Sequence, residues 1–204
     1  MAALRVSRVL HATTAEGPGL RTAVWFQGCS IRCKGCINPH LFSELGGLEL
    51  DPETVVREAV RQGVEGLTLL GGEPFDQAPA AGSLARLAQQ AGLGVICFSG
   101  YLHEDLAGRP DADELLNCTD LLVDGPYRAD EAEASRALVG STNQRFIHLT
   151  SRYADFDPVH AANRLEMRIA ADGSVEVAGF LQRDELQDLS ARMGATRAWR
   201  RRSG

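Results

Sequence analysis

Residues 28–37 read Gly-Cys-Ser-Ile-Arg-Cys-Lys-Gly-Cys-Ile, and they place Cys29, Cys33 and Cys36 in a CxxxCxxC spacing. Three thiolates this close in sequence can hold three irons of a [4Fe–4S] cluster, which normally takes four cysteine ligands. A missing fourth cysteine would leave one iron open to a small molecule. The spacing therefore indicates a reactive iron–sulfur site rather than a simple electron carrier.

A zinc site is the alternative for the same cysteines. Zinc sites built on paired cysteines usually need a second pair or two histidines further along the chain, and His40, four residues after Cys36, is the nearest candidate. The other cysteines, Cys97 and Cys118, stand alone in apolar runs, and we interpret them as small apolar residues of the core. Iron–sulfur is favoured and zinc stays open, whereas a disulfide fits poorly because the two remaining cysteines are distant and isolated.

The composition is that of an ordinary globular protein, with 204 residues of which 44% are hydrophobic and 24% charged. We expect a single domain over 1–204, with a core over about 4–152 and a C-terminal extension over about 160–195. The net charge of −6 argues against general nucleic-acid binding. The basic tail at 197–202 is interpreted as a solvated end, with a docking patch for an acidic partner as the alternative.

Two further features bear on location. The chain contains no run of eighteen apolar residues, so no membrane span is predicted. Arginines interrupt the apolar residues at 1–10, which is unlike a secretory leader. We therefore expect a cytoplasmic protein and no membrane partner.

Strand-like and helix-like segments alternate along the chain, which predicts an α/β fold with parallel strands. The predicted strands lie at 21–27, 67–70, 95–98, 121–123 and 146–149, and the predicted helices begin near 52, 79 and 113. Apolar residues alternate with polar ones on both sides of Asp172-Gly173, which predicts a β-hairpin, and a last helix follows over about 184–193. Four or five βα units are too few for a closed eight-stranded barrel, so we expect an open, partial parallel βα barrel with a C-terminal hairpin and helix.

Several segments, in order along the chain, resemble the radical S-adenosylmethionine (SAM) superfamily. The CxxxCxxC run after the apolar residues 24–26 is similar to its cluster signature, and 71–74 is similar to its GGEP motif. The EGPGLR segment at 16–21 resembles the DGPGxR segment of glycyl-radical-enzyme activases, and 120–125 and 140–145 resemble later segments of the activating protein of anaerobic ribonucleotide reductase. Gly35 stands where the superfamily usually has an aromatic residue, although those ribonucleotide reductase activators also tend to carry glycine there.

The resemblance implies a cofactor pair, a [4Fe–4S] cluster and SAM. It implies an oxidoreductase that cleaves SAM reductively to methionine and a 5′-deoxyadenosyl radical, which abstracts a hydrogen atom. The implied substrate is a glycyl radical enzyme, and the implied electron donor is of the flavodoxin or ferredoxin type. The alternatives are a small radical SAM enzyme acting on a peptide or small metabolite, and a non-catalytic iron–sulfur or zinc protein.

The resemblance also assigns roles at the carboxyl ends of the strands, where sites lie in barrel-like α/β folds. Gly71 and Gly72 lack Cβ atoms, so the backbone can approach closely, and carbonyls there can accept bonds from the amino group of SAM. The Glu73 carboxylate is a second acceptor for that group, and Pro74 completes the motif.

Later positions of the chain supply weaker candidates. Ser99 and Asp124 are candidates for hydrogen bonds to the SAM carboxylate or ribose, with simple strand-end caps as the alternative. Arg128 is a candidate partner for that carboxylate, with an ordinary surface residue as the alternative. Asn143 and Gln144 are candidates for lining the nucleoside or substrate pocket.

Overall fold

The computed structural model describes residues 4–180 and 183–192. Nine strands and five α-helices follow one another along this part of the chain. The strands are β1 (Leu4–Thr13), β2 (Arg21–Phe26), β3 (Leu48–Leu50), β4 (Gly66–Gly71), β5 (Gly94–Phe98), β6 (Leu121–Asp124), β7 (Arg145–His148), β8 (Leu165–Ile169) and β9 (Val175–Gly179). The helices are α1 (Pro52–Arg61), α2 (Ala78–Gln90), α3 (His103–Leu106), α4 (Asp113–Asn117) and α5 (Arg183–Arg192).

Seven strands form one sheet in the order β3-β1-β2-β4-β5-β6-β7. The four central strands, β2, β4, β5 and β6, pair in parallel. The outer strands are antiparallel to their neighbours, and the sheet has two open edges, at β3 and β7. The prediction of an α/β fold with an open, partial parallel βα barrel is confirmed in its class and its parallel central strands, and the sheet of the described residues does not close.

The predicted sheet was incomplete in three respects, since β1, β3 and the direction of β7 were not predicted. The strand predicted at 146–149 is observed as β7, and it is antiparallel to β6. Residues 125–144 between the two strands contain no helix, and a parallel return normally needs a crossover helix. β1 was not predicted, because its apolar residues are interrupted by arginines that turn out to contact the C-terminal hairpin or the Gly46 loop.

Helices α1, α2 and α4 cover one face of the sheet, and local signals explain where α1 begins. The Asp51 carboxylate accepts the backbone N–H of Thr54 at 3.0 Å, and Pro52 occupies the first helical position. The large apolar core lies between these helices and the sheet. Its fully buried members include Phe26, Leu67 and Leu84.

The predicted hairpin is present as β8 and β9, and it packs on the opposite face of the sheet beside β1. Its polar side chains make this contact: Glu166 accepts a hydrogen bond from Thr13 at 2.7 Å, and Arg168 donates to the Ala12 carbonyl at 2.9 Å. Ala178 joins a small apolar cluster with Trp25 and other residues of that face. The apolar residues of β8 point outward, so the alternating pattern identified the hairpin but not which side faces the sheet.

The predicted last helix is observed as α5, and the part of the prediction at residue 193 lies outside the described residues. The basic tail at 197–202 also lies outside them. Across 4–180 and 183–192, no helix is long and apolar enough to cross a membrane. The single-domain boundary over 1–204 stays a prediction.

Candidate functional site

The three cysteines lie on a loop that leaves β2 and ends at a short 3₁₀ helix, Pro39–Leu41. Gly28, Arg32 and Gly35 all have positive φ angles, 97°, 51° and 83°, so the loop folds back sharply on itself. Its base is fixed by the Gly28 N–H, which donates to the Leu41 carbonyl at 2.9 Å. The loop is therefore a compact platform rather than an extended connection.

The thiols on this loop suit the chemistry of a [4Fe–4S] cluster. All three are outside any disulfide and only half-buried, so each is accessible to an incoming iron. Burial raises the pKa of the Cys29 thiol, which the backbone N–H groups of Arg32 and Ile31 partly oppose. A bound iron would favour the thiolate far more strongly than these groups do.

The zinc alternative needs three or more ligands converging on one ion. No group of three histidine, cysteine, aspartate or glutamate side chains within the described ranges is placed to hold a single metal ion. His40 lies on the 3₁₀ helix that follows the loop and does not complete such a group. A cluster differs in this respect, because each cysteine binds a different iron.

The GGEP segment follows β4 and presses against the start of the cysteine loop. The Glu73 N–H donates to the Gly28 carbonyl at 2.8 Å, and the Gly72 N–H donates to the Phe26 carbonyl at 2.9 Å. A Cβ built on Gly72 would overlap the Gly28 carbonyl oxygen, and one built on Gly71 would lie 2.7 Å from the Trp25 Cα. The two glycines are required for this approach of backbone to backbone.

The Glu73 carboxylate is buried and engaged with the next strand-end loop. It accepts hydrogen bonds from the Ser99 hydroxyl at 3.0 Å, the Gly100 N–H at 2.9 Å and the Phe75 N–H at 3.0 Å. Burial raises the pKa of Glu73 to about 7, although these donors oppose the shift. Glu73 and Ser99 therefore hold each other and the β5 loop, and Pro74 is buried at the start of the 3₁₀ helix Pro74–Gln77.

Asp124, at the end of β6, is buried and holds a cation. Its carboxylate accepts hydrogen bonds from the His103 N–H at 2.7 Å, from Arg145 Nε at 2.9 Å and from Arg145 Nη2. Arg145 also contacts Glu104 at 2.7 Å, and the two carboxylates raise the pKa of its guanidinium above its ordinary value. Asp124 thus fixes the direction of Arg145 across the β6–β7 pair.

The cysteine loop, the loop after β5 and the segment before β7 border a cavity of about 630 Å³ that is open to solvent. This volume is within the range typical of small-molecule sites. Its lining includes Ser30 and Ile31 of the cysteine loop, Gly100 and Tyr101 after β5, and Asn143 and Arg145 near β7. Asn143 donates to the Pro126 carbonyl at 2.8 Å, and its buried Oδ1 atom has no hydrogen-bond partner among the described residues. A buried polar atom without a partner is uncommon, which marks this residue of the cavity wall as a candidate for ligand binding.

A family model described as "4Fe-4S single cluster domain" matches residues 15–147. The chain belongs to this family. It is a radical SAM protein that resembles the glycyl-radical-enzyme activases. Membership implies a [4Fe–4S] cluster and SAM as cofactors, which agrees with the three half-buried thiols and the adjoining cavity.

Curated relatives are activating enzymes. The pyruvate formate-lyase-activating enzyme of Clostridium pasteurianum is 31% identical over 126 residues, 58% of this chain and 50% of that protein. The pyruvate formate-lyase 1-activating enzyme of Escherichia coli K12 is 31% identical over 150 residues, 70% of this chain and 59% of that protein. The chain thus spans between half and three fifths of the length of these relatives. A solved structure of QueE from Escherichia coli overlaps 50% of this chain and 54% of its own, with 17% identity and a TM-score of 0.42, a likeness that supports no conclusion.

Of the remaining candidates of this radical SAM protein, Arg128 lines the cavity and Gln144 is not among its lining residues. Gln144 accepts the Gly140 N–H at 2.9 Å, which holds the loop before β7. Arg128 lines the cavity and pairs with Glu131 at 2.7 Å. Cys97 is fully buried in the large apolar core, and the half-buried Cys118 packs against the same core, as predicted for small apolar residues.

Three residues at the site were not among the sequence candidates for it. Arg145 ends the segment 140–145 that resembles the ribonucleotide reductase activators, and Tyr101 directly follows Ser99-Gly100, so both had a signal of position. Asp76 had no such signal in the sequence, since an acidic residue three positions after the motif glutamate Glu73 is common. The structure shows its role, because its carboxylate contacts the cysteine loop.

Proposed function

We propose that this protein is a radical SAM activase that takes a hydrogen atom from a backbone glycine of a glycyl radical enzyme. The observation that carries the proposal is the cavity shared by the cysteine loop, the β5 loop and Asn143. A SAM molecule in this cavity would contact residues of the cysteine loop and of two further strand ends at once. The relatives named as activating enzymes support the same reaction class.

Different residues of the chain would bind the cluster and SAM. Cys29, Cys33 and Cys36 would hold the cluster. When bound, the cluster supplies the electron that splits SAM into methionine and a 5′-deoxyadenosyl radical, which abstracts the hydrogen atom. Backbone carbonyls at Gly71 and Gly72 would accept hydrogen bonds from the SAM amino group.

The cavity wall would orient the rest of SAM. The Asn143 side chain would bond a polar group of the nucleoside through the atom that now lacks a partner. Arg145, already neutralised by two carboxylates, would donate to the SAM carboxylate or ribose from a fixed direction.

The partner we favour is an anaerobic ribonucleotide reductase or a similar glycyl radical enzyme, because segments 120–125 and 140–145 resemble that activating protein. A flavodoxin- or ferredoxin-type protein would deliver the electron. A half-exposed cluster needs a reducing compartment, for which the cytoplasm is our proposal.

The test is an anaerobic assay that measures 5′-deoxyadenosine released from SAM by the iron-reconstituted, reduced protein. Cys33→Ala should abolish release, and Cys118→Ala should leave it unchanged, because Cys118 lies outside the site. Release that is insensitive to Cys33→Ala would refute the assignment. No release from a protein with a full cluster and a strong reductant would favour a non-catalytic iron–sulfur protein.

A small radical SAM enzyme acting on a peptide or metabolite is the second candidate, and the hairpin favours it. The Phe180 ring lies 5.5 Å from the Phe98 ring, centroid to centroid, and Phe98 directly precedes Ser99. The C-terminal extension therefore reaches the strand end beside the site and would bound a small substrate pocket. Mixing the protein with a glycyl radical enzyme and measuring the glycyl radical by electron paramagnetic resonance (EPR) separates the two candidates.

A further inference from the structure

Asp76 connects the cysteine loop to the loop after β5. Its Oδ2 accepts the Ser30 N–H at 2.6 Å, and its Oδ1 accepts the Ser30 hydroxyl at 2.9 Å. The Tyr101 hydroxyl donates to the same Oδ1 at 2.9 Å, and the Ser30 and Tyr101 hydroxyl oxygens are 2.8 Å apart. Three side chains from three strand-end loops thus meet in a triangle of polar contacts, in which the two hydroxyl hydrogens can form two hydrogen bonds at a time.

The triangle is continuous with the Glu73 network. Ser99, bound to Glu73, accepts the Tyr101 N–H at 3.1 Å through its hydroxyl. A Cβ built on Gly100 would lie 2.6 Å from Ile31 Cδ1, so the cysteine loop packs directly on the β5 loop. A displacement of Tyr101 or Asp76 would therefore be transmitted to the residues that follow Cys29.

The Asp76 carboxylate lies beside the cysteine loop, and its charge is the second feature that bears on the cluster. Across residues 4–180 and 183–192, ion pairs neutralise many exposed carboxylates, but none includes Asp76. The nearby cation, Arg109, pairs with Asp111 at 2.8 Å and lies over the Tyr101 ring at 5.2 Å. The described hydrogen bonds to the Asp76 carboxylate come from neutral donors, so its negative charge is retained. One of these donors is Ser30, which directly follows the cluster ligand Cys29 in the chain.

We propose that Asp76 is a positioning residue: through Ser30 it fixes the backbone beside Cys29, and its charge lowers the reduction potential of the cluster. The proposal rests on the proposed function, since it requires that the cysteines hold a [4Fe–4S] cluster. The potential of such a cluster depends on nearby charge and on hydrogen bonds around its ligands. A low potential is what the reductive cleavage of SAM requires.

Two variants separate the charge of Asp76 from its geometry. Asp76→Asn keeps an oxygen acceptor for the triangle and removes the charge. Tyr101→Phe keeps the charge and the ring under Arg109 and removes one donor. Asp113→Asn is the matched control, because Asp113 is an exposed carboxylate on α4, far from the cysteine loop in sequence and on the helix-covered face.

The experiment uses the anaerobically reconstituted chain and measures iron content, midpoint potential by EPR-monitored titration, and SAM affinity by calorimetry. Asp76→Asn should shift the potential to a more positive value at unchanged iron content, and Asp113→Asn should not. Tyr101→Phe should leave the potential close to that of the wild type and weaken SAM binding, because Ser30 lines the cavity and loses one of the contacts that fix it.

The outcomes are distinguishable from those of the proposed function. Wild-type potential and SAM affinity in both Asp76→Asn and Tyr101→Phe would overturn the positioning role, even if the wild type cleaves SAM. A wild type that holds a cluster but does not cleave SAM would remove the proposed function, while the shift in potential would still be measurable. If Asp76→Asn loses iron, an unchanged SAM affinity in Tyr101→Phe overturns the proposal and a weakened one supports it.

Discussion

Gly72 lies against Gly28 so closely that a Cβ on Gly72 would overlap the Gly28 carbonyl oxygen. The same oxygen accepts the Glu73 N–H at 2.8 Å, so the end of β4 is bonded to the start of the cysteine loop. Since Gly28 directly precedes Cys29, the position of the first thiol depends on the backbone of the GGEP segment.

Gly72→Ala should displace the cysteine loop, because the methyl group meets a backbone atom that cannot turn away. We expect a loss of about 2 kcal/mol in the free energy of unfolding, typical of overpacking, and reduced iron content after reconstitution. Gly108→Ala is the control, since a Cβ there meets nothing within 4 Å. Equal iron content and stability in the two variants would contradict the close approach.

Arg145→Gln should destabilise the protein by leaving the buried Asp124 carboxylate with the His103 N–H as its remaining described donor. We expect a loss of about 2 kcal/mol, below the usual cost of breaking a buried pair because Arg145 is partly exposed. Urea unfolding measures the change. Arg128→Gln is the control, because it breaks an exposed pair with Glu131 and should leave the free energy of unfolding close to that of the wild type.

Glu16→Gln should alter how stability depends on pH. Burial raises the pKa of Glu16 from 4.5 to about 7, and its carboxylate accepts the Gly179 N–H of the hairpin at 2.6 Å. Because the folded state holds this proton more tightly than the unfolded state, the contribution of Glu16 to stability is greatest below pH 4.5 and falls as the pH rises to about 7. The amide still accepts the hydrogen bond and does not titrate.

The corresponding measurement is the free energy of unfolding between pH 4.5 and 7. The wild type should lose on the order of 3 kcal/mol more than Glu16→Gln over this interval. Glu53→Gln, an exposed position at the start of α1, should follow the wild type. Parallel curves for wild type and Glu16→Gln would show that Glu16 does not titrate there.

Arg21→Met should be among the most destabilising single changes on the sheet. The Arg21 guanidinium is fully buried and donates to the Thr68 hydroxyl at 2.6 Å, the Tyr153 hydroxyl at 2.7 Å and the Pro18 carbonyl at 3.1 Å. Methionine fills much of the volume but leaves these acceptors unsatisfied, which should cost about 3 kcal/mol. Urea unfolding measures the loss of stability in Arg21→Met, and Arg57→Met at an exposed position is the control. A similar loss in both variants would show that the buried hydrogen bonds of Arg21 are not its cause.

Much of the fold followed from local signals in the sequence. The central strands β4, β5 and β6 are short runs of apolar residues, and α1 begins at an aspartate followed by proline, so both kinds of element were predicted within a few residues. β1 and the direction of β7 were not predicted. Both depend on pairing with a distant segment, and neither has a periodic pattern strong enough to reveal it.

The candidate site divides in the same way. Cys29, Cys33 and Cys36 could be identified from spacing, because ligands of one cluster lie on one loop. Asp76, Tyr101 and Arg145 could not be assigned a role from spacing, since their partners are Ser30 and Asp124, 46, 71 and 21 residues away in sequence.

The sequence by itself determined the chemistry of the ligands, the alternation of strands and helices, and the family to which they belong. These depend on residues close together in the chain. Only the tertiary structure decided that Glu73 and Ser99 bind each other, that Asp124 holds Arg145, and that the charged side of the hairpin faces the sheet. The physical reason is that buried polar groups take whichever partners the packing of the sheet brings within hydrogen-bonding distance, and that packing is set by the whole chain.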